Sequence, residues 1–335
     1  MANIAINGFG RIGRNLFRII EQQQNAELNI VAINDLMSHE HMQYLAQFDT
    51  ILGPFPSKVR VSDDTLKTQN TQAKIFHEPD ISKLPWRDLG IDIVVEATGV
   101  FRQRVQLEQH LSAGAKKVLL TVPSKDPIDA TIVLGVNDDQ LKKEHQIVSN
   151  ASCTTNCLAP LAKVLHDAFG IERALMTTVH AYTNDQRVMD MSHKDPRRGR
   201  VAAQNIIPTT TGAALAVGKI IPELNGKIDG MALRVPVVNG SIIDLTATLD
   251  KKATVSDINK SVKDASENVF KGIIEYSQDP LVSTDILQNT HSSIFDATST
   301  KVLGDRMIKV LSWYDNEWGY SNRLFDLLKN LKKHL

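Results

Sequence analysis

The chain has 335 residues, with Lys+Arg and Asp+Glu both at 38 and a formal net charge of zero. Its length allows two domains with substantial cores, and 42% hydrophobic with 23% charged residues is the balance of an ordinary globular protein. The even charge calls for neither nucleic acid nor a membrane surface, and no apolar stretch approaches the ~18 residues of a membrane span. Two cysteines, Cys153 and Cys157, cannot build a structural zinc site alone, so no metal is expected. So few cysteines, and a strand-like run beginning at Asn3 where a signal peptide would lie, predict a cytoplasmic protein.

In chain order, Asn3-Ile4-Ala5-Ile6-Asn7 reads as a short buried strand, and Gly8-Phe9-Gly10-Arg11-Ile12-Gly13 follows at once. An amphipathic helix then begins, with Leu16, Phe17, Ile19 and Ile20 on its apolar side. A second strand over 28–34 ends at Asp35, 22 residues after Gly13. Glycine turns are common, but strand, glycine turn, helix, strand and acid together are the pattern of dinucleotide binding. Gly8 permits the tight turn, Gly10 lets a pyrophosphate approach the backbone, and Gly13 lets helix and strand pack closely. The helix N-terminus receives the phosphates, and Asp35 falls where a carboxylate bonds the adenosine ribose. The alternative is a structural turn with a surface aspartate. Polar alternation over 59–76 predicts an antiparallel excursion, and strands follow over 91–97, 117–121, 130–136 and 146–148, with a helix over 104–113.

The run Ser149-Asn150-Ala151-Ser152-Cys153-Thr154-Thr155-Asn156-Cys157 leaves the last of these strands and opens a helix expected over 157–169. A cysteine at a helix N-terminus lies near unsatisfied N–H groups and the positive end of the dipole, which favours the nucleophilic thiolate. Cys157, one turn on, reads as a buried structural thiol. Further strands over 174–183, 229–236, 241–249 and 307–314 alternate with helices over 211–221, 255–268 and 319–335, which suggests an α+β domain with a mixed sheet. Residues 184–206 form a long polar segment, of a length that tends to be functional or interfacial.

His180 ends an apolar run, where a lone histidine is usually a satisfied core residue; only pairing with Cys153 would make it a base. Arg234 lies within the apolar run 231–236 and needs a partner there, whereas Arg197, Arg198 and Arg200 read equally well as a solvated face. Thr211-Gly212 opens a helix, where backbone N–H groups bind anions. Asn316 could merely cap the last helix. Asn239-Gly240 suggests a tight turn, and no function attaches to it.

Five stretches carry a family resemblance: I-N-G-F-G-R-I-G-R at 6–14, S-N-A-S-C-T-T-N-C at 149–157, T-V-H-A-Y-T-N-D-Q at 178–186, I-I-P-T-T-T-G-A-A at 206–214 and S-W-Y-D-N-E-W-G-Y at 312–320. From first strand to last helix the chain resembles phosphorylating glyceraldehyde-3-phosphate dehydrogenases of the bacterial and eukaryotic type. The cysteine stretch is the most specific of the five. The fold implied is α/β, a Rossmann dinucleotide-binding domain plus an α+β catalytic domain with a mixed sheet. The boundaries expected are 1–151 for the first, with the C-terminal helix over 317–335 packing back onto it, and 152–316 for the second.

The resemblance implies NAD-dependent oxidative phosphorylation of D-glyceraldehyde 3-phosphate to 1,3-bisphosphoglycerate, with Cys153 as nucleophile and His180 as its base. Cofactor contacts are implied for Gly8, Gly10, Arg11, Ile12, Gly13, Asp35, Thr121, Asn316 and Tyr320. Thr183, Arg198 and Arg234 resemble the site for the substrate's own phosphate. Ser152, Thr154, Thr211 and Gly212, with Arg234 nearby, resemble the site for inorganic phosphate. The 184–206 segment matches a loop at a subunit interface, so a homotetramer is implied, with no nucleic-acid or membrane partner. A Cys153–His180 ion pair is expected to depress the thiol pKa. Two features depart from the family pattern, Met191-Ser192 and Val237-Val238-Asn239-Gly240-Ser241, the latter standing where relatives carry T-P-N-V-S. Met191-Ser192 stands where NAD-specific relatives carry Leu-Pro, and serine there occurs in NADP users; Asp35-Leu36 matches the NAD users. A carboxylate beside a 2′-phosphate is electrostatically costly, so NAD is expected with residual NADP use. The rival readings are an erythrose-4-phosphate dehydrogenase and, in a different class, a non-enzymatic dinucleotide-binding scaffold.

Overall fold

Strand β1 (Ala2–Asn7) buries every residue except Asn3, which is half-buried, as a strand covered on both faces must. It belongs to a computed structural model that describes residues 1–23 and 27–335. The chain divides into two units, one of residues 1–132, 139–151 and 321–335 and one of 133–138 and 152–320.

In the first unit, β1 leads to α1 (Arg11–Gln23), β2 (Leu28–Asn34) and α2 (His39–Gln47). Strands β3 (Arg60–Ser62), β4 (Thr65–Lys67) and β5 (Gln72–Phe76) follow, then β6 (Ile93–Glu96), α3 (Arg104–Ser112), β7 (Lys117–Leu120), β8 (Ala130–Thr131) and β9 (Ile147–Ser149). The nine strands form one sheet in the order β3-β4-β5-β2-β1-β6-β7-β9-β8. From β5 to β8 all neighbours are parallel; only the β3-β4-β5 excursion is antiparallel. Strand order reverses at β1, with β2 on one side and β6 on the other. A parallel α/β sheet opens a crevice at the carboxyl ends of its strands at such a point.

A buried polar chain ties those ends together. Asn34 Nδ2 donates to Asn7 Oδ1 at 2.8 Å, and Asn7 Nδ2 donates to Glu96 Oε2 at 2.6 Å. His110 Nε2 lies 3.1 Å from the same carboxylate oxygen, and Trp86 Nε1 donates to His110 Nδ1 at 3.1 Å. An indole N–H can only donate, so His110 Nδ1 accepts and its Nε2 carries the hydrogen toward Glu96.

The second unit contains α4 (Cys153–Phe169), β10 (Ile171–Ala181), β11 (Ile207–Thr210), α5 (Ala213–Ile220), β12 (Ile228–Val235), β13 (Ser241–Leu249), α6 (Val255–Glu267), β14 (Ile274–Ser277), β15 (Ser293–Leu303) and β16 (Met307–Tyr314). Its seven-stranded sheet runs β11-β12-β10-β13-β16-β15-β14 and is mixed: β10 is parallel to β12 and antiparallel to β13. Helix α7 (Trp318–Lys332) begins in this unit and from Ser321 onward belongs to the first, where Leu324, Leu327, Leu328 and Leu331 are buried and Lys332 pairs with Glu27 at 3.0 Å.

Several boundaries differ from the sequence expectations. Helix α4 starts at Cys153 rather than Cys157, because the Ser152 hydroxyl caps it by accepting the Thr155 N–H at 3.1 Å. That cap overrides the poor helix propensity of Thr154-Thr155-Asn156 and leaves Pro160 inside the helix. The strand expected over 130–136 stops at Thr131, beyond which Asn137 Oδ1 turns the chain by accepting the Val133 N–H at 2.8 Å. Helix α5 starts at Ala213, two residues later than expected. Helix α2 and strands β11, β14 and β15 have no counterpart in the sequence reading; β15 is rich in Ser and Thr, which hides its alternation.

Candidate active site

Two backbone devices place the reactive side chains. Cys153 is the first residue of α4, directly after its cap, and the turn before it holds Ala151 at φ +55°, a conformation that costs a non-glycine residue energy. The second device is sheet register: β10 and β12 run parallel with His180 opposite Arg234, and β11 sets Ile207 opposite the same arginine.

The result is a contiguous group. Cys153 Sγ lies 3.5 Å from His180 Nε2 and 4.0 Å from Thr154 Oγ1. Arg234 Nη1 lies 2.8 Å from His180 Nδ1 and donates to Ala181 O at 2.9 Å. Tyr314, at the end of β16, supports both sides: its hydroxyl is 2.9 Å from Thr154 Oγ1 and 2.7 Å from Thr178 Oγ1, and its ring meets the His180 ring edge-on with centroids 5.9 Å apart. The sequence reading did not single out Tyr314 or Thr178. Thr178 carried a signal, since it lies two residues before His180 on one strand and so on the same face.

The electrostatics correct one expectation. Burial pushes the Cys153 thiol up, although the Arg234 guanidinium pulls the other way. Burial, and then Arg234, hold His180 down at about 3. Both shifts favour thiol and imidazole over thiolate and imidazolium in the ligand-free pair. The helix N-terminus and the histidine do not outweigh desolvation here, and an imidazolium would stand against a guanidinium.

His180 also has two tautomers to choose between. Its Nδ1 lies 2.6 Å from Ala181 O and 2.8 Å from Arg234 Nη1. Arginine can only donate, so while it bonds Nδ1 the imidazole proton sits on Nε2. When Nδ1–H instead donates to Ala181 O, Nε2 is free to take the thiol proton.

The other residues of the expected phosphate sites take these places. Ser152 caps α4, its Oγ also 2.7 Å from Thr155 Oγ1. The Thr154 hydroxyl is engaged by Tyr314, so its side chain faces inward. Gly212 caps α5 with open space beside it, and Thr211 Oγ1 accepts the Ala213 N–H at 3.2 Å. Arg198 Nη1 donates to Asp185 at 2.6 Å, Nε to Thr209 Oγ1 at 2.8 Å and Nη2 to Thr210 O at 3.0 Å, next to Thr211. Against the desolvation that opposes it, Arg198 holds Asp185 below the ordinary carboxylate range. Thr183 is half-buried just beyond β10, its carbonyl accepting the Gln186 N–H at 2.9 Å.

Asn316 and Tyr320 flank the start of α7. The capping bonds there belong to Asp315, whose Oδ1 accepts from Glu317 N at 2.9 Å and Trp318 N at 2.7 Å. Asn316 is therefore not the cap; its Oδ1 accepts from Gly240 N and Ser241 Oγ instead. Tyr320 is buried, and burial raises its hydroxyl well above the usual tyrosine range.

In the first unit, the glycine loop fits a dinucleotide by its own packing. A Cβ at Gly8, where φ is +96°, would stand 2.5 Å from Thr98 N, and one at Gly13 would stand 2.1 Å from Gly8 O. A Cβ at Gly10 would meet nothing within 4 Å, so no internal contact requires glycine there. Space kept clear beside that backbone suits a pyrophosphate. Asp35 Oδ2 accepts the Phe9 N–H at 2.6 Å and Oδ1 the Met37 N–H at 3.0 Å, which fixes the carboxylate beside the loop with lone pairs left for ribose hydroxyls. Ile12 is half-buried at the start of α1. The Arg11 side chain pairs with Asp49, leaving its backbone at the helix N-terminus. Thr121 Oγ1 donates to Glu96 O at 3.1 Å at the carboxyl end of β7.

Residues 2–104 match the family model described as glyceraldehyde 3-phosphate dehydrogenase, NAD binding domain, and residues 152–316 match the C-terminal domain of the same family. The chain is 55% identical over 333 residues to a glyceraldehyde-3-phosphate dehydrogenase of Thermotoga maritima, covering 99% of this chain and 100% of that one. Relatives of the same description from Mycolicibacterium smegmatis, 53% identical over 338 residues, and Mycobacterium leprae, 52% identical over 337, cover 99% of both chains. With both family domains matched and such identity along its whole length, the chain belongs to the glyceraldehyde-3-phosphate dehydrogenase family.

Proposed function

We propose that the protein oxidises and phosphorylates D-glyceraldehyde 3-phosphate to 1,3-bisphosphoglycerate, with residues 1–151 and the C-terminal helix as its cofactor domain and 152–316 as its catalytic domain. The observation that carries the chemistry is the 3.5 Å approach of Cys153 Sγ to His180 Nε2 beside a guanidinium that reaches the other imidazole nitrogen. The family and its relatives support the substrate, and nothing favours the erythrose-4-phosphate alternative.

The thiol adds to the aldehyde carbon as its proton passes through His180 Nε2 to the former carbonyl oxygen, giving a hemithioacetal on Cys153 and returning the imidazole to its neutral form. NAD, when bound, supplies the hydride acceptor for its oxidation. His180 takes the hemithioacetal hydroxyl proton, leaving a thioester. A phosphate oxygen then attacks the thioester carbonyl, the C–S bond breaks, and the Cys153 sulfur departs and regains its proton. Sulfur suits both halves, as a good nucleophile and a good leaving group. Arg234 stands where it can pair with phosphate oxygens through a planar fork. Arg198 and Thr183 complete the substrate-phosphate contacts, and Ser152, Thr154, Thr211 and Gly212 those for inorganic phosphate. The inward hydroxyl of Thr154 leaves its backbone N–H, at the start of α4, as the group for this role. Gly8, Gly10 and Gly13, with the backbone of Arg11 and Ile12, cradle the dinucleotide phosphates; Asp35 reads the ribose. Thr121, Asn316 and Tyr320 complete the cofactor set, with Asn316 on the carboxamide.

A homotetramer in the cytoplasm is part of this reading. Among the described residues no helix is long and apolar enough to cross a membrane. The test is reduced-cofactor absorbance with glyceraldehyde 3-phosphate, using NAD and NADP separately, with and without inorganic phosphate. Phosphate-dependent turnover that favours NAD is expected; no turnover with either cofactor would refute the assignment.

A further inference from the structure

Asn239-Gly240-Ser241, a run with no role in the chemistry above, closes a turn that only glycine fits. Gly240 has φ +93°, and a Cβ there would stand 2.3 Å from Ser283 O. Asn239 Nδ2 anchors the turn on Asp315 Oδ1 at 2.9 Å. The next two residues both face the Asn316 side chain. Gly240 N–H donates to Asn316 Oδ1 at 3.1 Å, and Ser241 Oγ donates to the same oxygen at 2.7 Å.

A backbone N–H can only donate, so the atom facing Gly240 must be the carboxamide oxygen; the flipped amide would set N–H against N–H. Ser241 Oγ also accepts the Ala181 N–H at 3.1 Å, which leaves the hydroxyl hydrogen for Asn316 and ties this turn to the residue after His180. Ser241 is fully enclosed, so water does not replace either bond. Asn316 Nδ2 bonds no group among the described residues, and it is absent from the buried, unpartnered atoms, so it stays open to approach.

We propose that Ser241 and the Gly240 amide form a positioning pair that locks the Asn316 carboxamide in one flip, so that Asn316 meets its ligand as an N–H donor and selects a carbonyl oxygen over an amine. This rests on the reading that Asn316 holds the cofactor's carboxamide. Serine at 241 is thus a specificity element for the nicotinamide end of the dinucleotide, acting through Asn316 rather than by touching it.

Calorimetric titration of the full chain with three dinucleotides tests it. They are NAD, its 3-acetylpyridine analogue, which keeps the carbonyl oxygen and loses the NH2, and its 3-aminopyridine analogue, which has an amine and no carbonyl. The wild type should bind the first two alike and the third about tenfold more weakly. Ser241→Ala removes one of the two bonds that hold the amide and should narrow that preference to about threefold, while Ser241→Thr, which keeps a hydroxyl, restores it. Asn316→Asp is isosteric and still accepts both bonds, but it has no donor to offer; it should bind the amine analogue better than the acetyl one. If Ser241→Ala misfolds by thermal melt, Ser241→Cys, close in size but a weak hydrogen-bond donor, takes its place as the test of the lock. Full preference in Ser241→Ala with lost preference in Asn316→Asp would overturn the lock and keep the contact. An Asn316→Asp protein that binds all three as the wild type does would overturn the contact itself.

Discussion

Cys153 and Cys157 share helix α4, lie one turn apart and carry the same side chain, yet they meet opposite surroundings. Cys157 is fully buried, with Sγ 3.6 Å from Ser293 Oγ and 3.8 Å from Ser312 O, and burial pushes its thiol up to about 12. Cys153 is only partly buried and faces His180 at 3.5 Å, with Arg234 behind the imidazole. Desolvation raises both thiols; what separates them is a neighbour that can take a proton. Cys157 is offered hydroxyls and carbonyls, which are too weakly basic for that. Reactivity here is a matter of which strand register faces the helix, not of residue type.

The sharpest way to break the contrast is to remove each sulfur. Cys153→Ser should keep NAD binding and lose turnover by about 10⁴-fold or more. Cys157→Ser should change turnover by less than about threefold, because it removes no group used in the chemistry. Steady-state rates with calorimetric NAD titration check both. Normal turnover in Cys153→Ser would sink the nucleophile assignment.

Replacing the base separates two accounts of the thiol. His180→Asn should lower turnover by about 10²–10⁴-fold. The pH profile of iodoacetamide labelling at Cys153, ligand-free, should scarcely move, because His180 is neutral near pH 7 and contributes no charge to lose. A labelling profile displaced to clearly higher pH in His180→Asn would restore the ion pair and overturn the neutral one.

The same histidine predicts a stability effect of known sign. Its folded pKa, about 3, lies below the ordinary 6.5. Between those values the unfolded chain binds a proton that the folded chain refuses, so stability falls as pH drops through this window. The slope for one such group approaches about 1.4 kcal/mol per pH unit. His180→Asn should remove that slope. Melting temperatures of both proteins from pH 7 to pH 4 measure it, and parallel curves would show that His180 is not held neutral by the fold.

Legibility in the sequence followed the range of the interaction. The glycine loop is readable because its pattern lies within one β-α-β unit that Asp35 closes: Gly13 is forced by Gly8 O, five residues back, although Gly8 itself packs against Thr98, 90 positions away. The helix start at Cys153 was misplaced because its cap rests on a single Ser152 hydroxyl, while the alternative start is marked by a long apolar run. Arg234 announced itself as an arginine in an apolar run, but its partner His180 lies 54 positions away and is set by parallel register. Tyr314 lies within the 312–320 stretch, but its contacts with Thr178, 136 residues away, and Thr154, 160 away, left no local mark, since a tyrosine ending a strand is ordinary. The neutral thiol–imidazole pair was unreadable for the same reason: desolvation is a property of everything packed around a group.

The smallest effect tests the first unit, where the question is selectivity rather than chemistry. Asp35 faces a ribose that carries a hydroxyl in NAD and a phosphate in NADP. Two like charges several ångströms apart near a surface repel by roughly 1–3 kcal/mol, or about tenfold in the NAD-to-NADP ratio for each 1.4 kcal/mol. Asp35→Ala should therefore improve NADP use relative to NAD by about tenfold. The same change removes the acceptor for Phe9 N–H and Met37 N–H, so the affinity for both cofactors should fall together as the loop loosens. Asp35→Asn separates the two effects in part, because it drops the charge and keeps one of the two acceptor oxygens, losing the bond to either Phe9 N–H or Met37 N–H. If Asp35→Asn shifts the kcat/KM ratio while NAD affinity holds, the carboxylate's charge reads the ribose. If the ratio stays fixed in both variants, Asp35 only braces the glycine loop, and selectivity passes to the exposed Met191-Ser192.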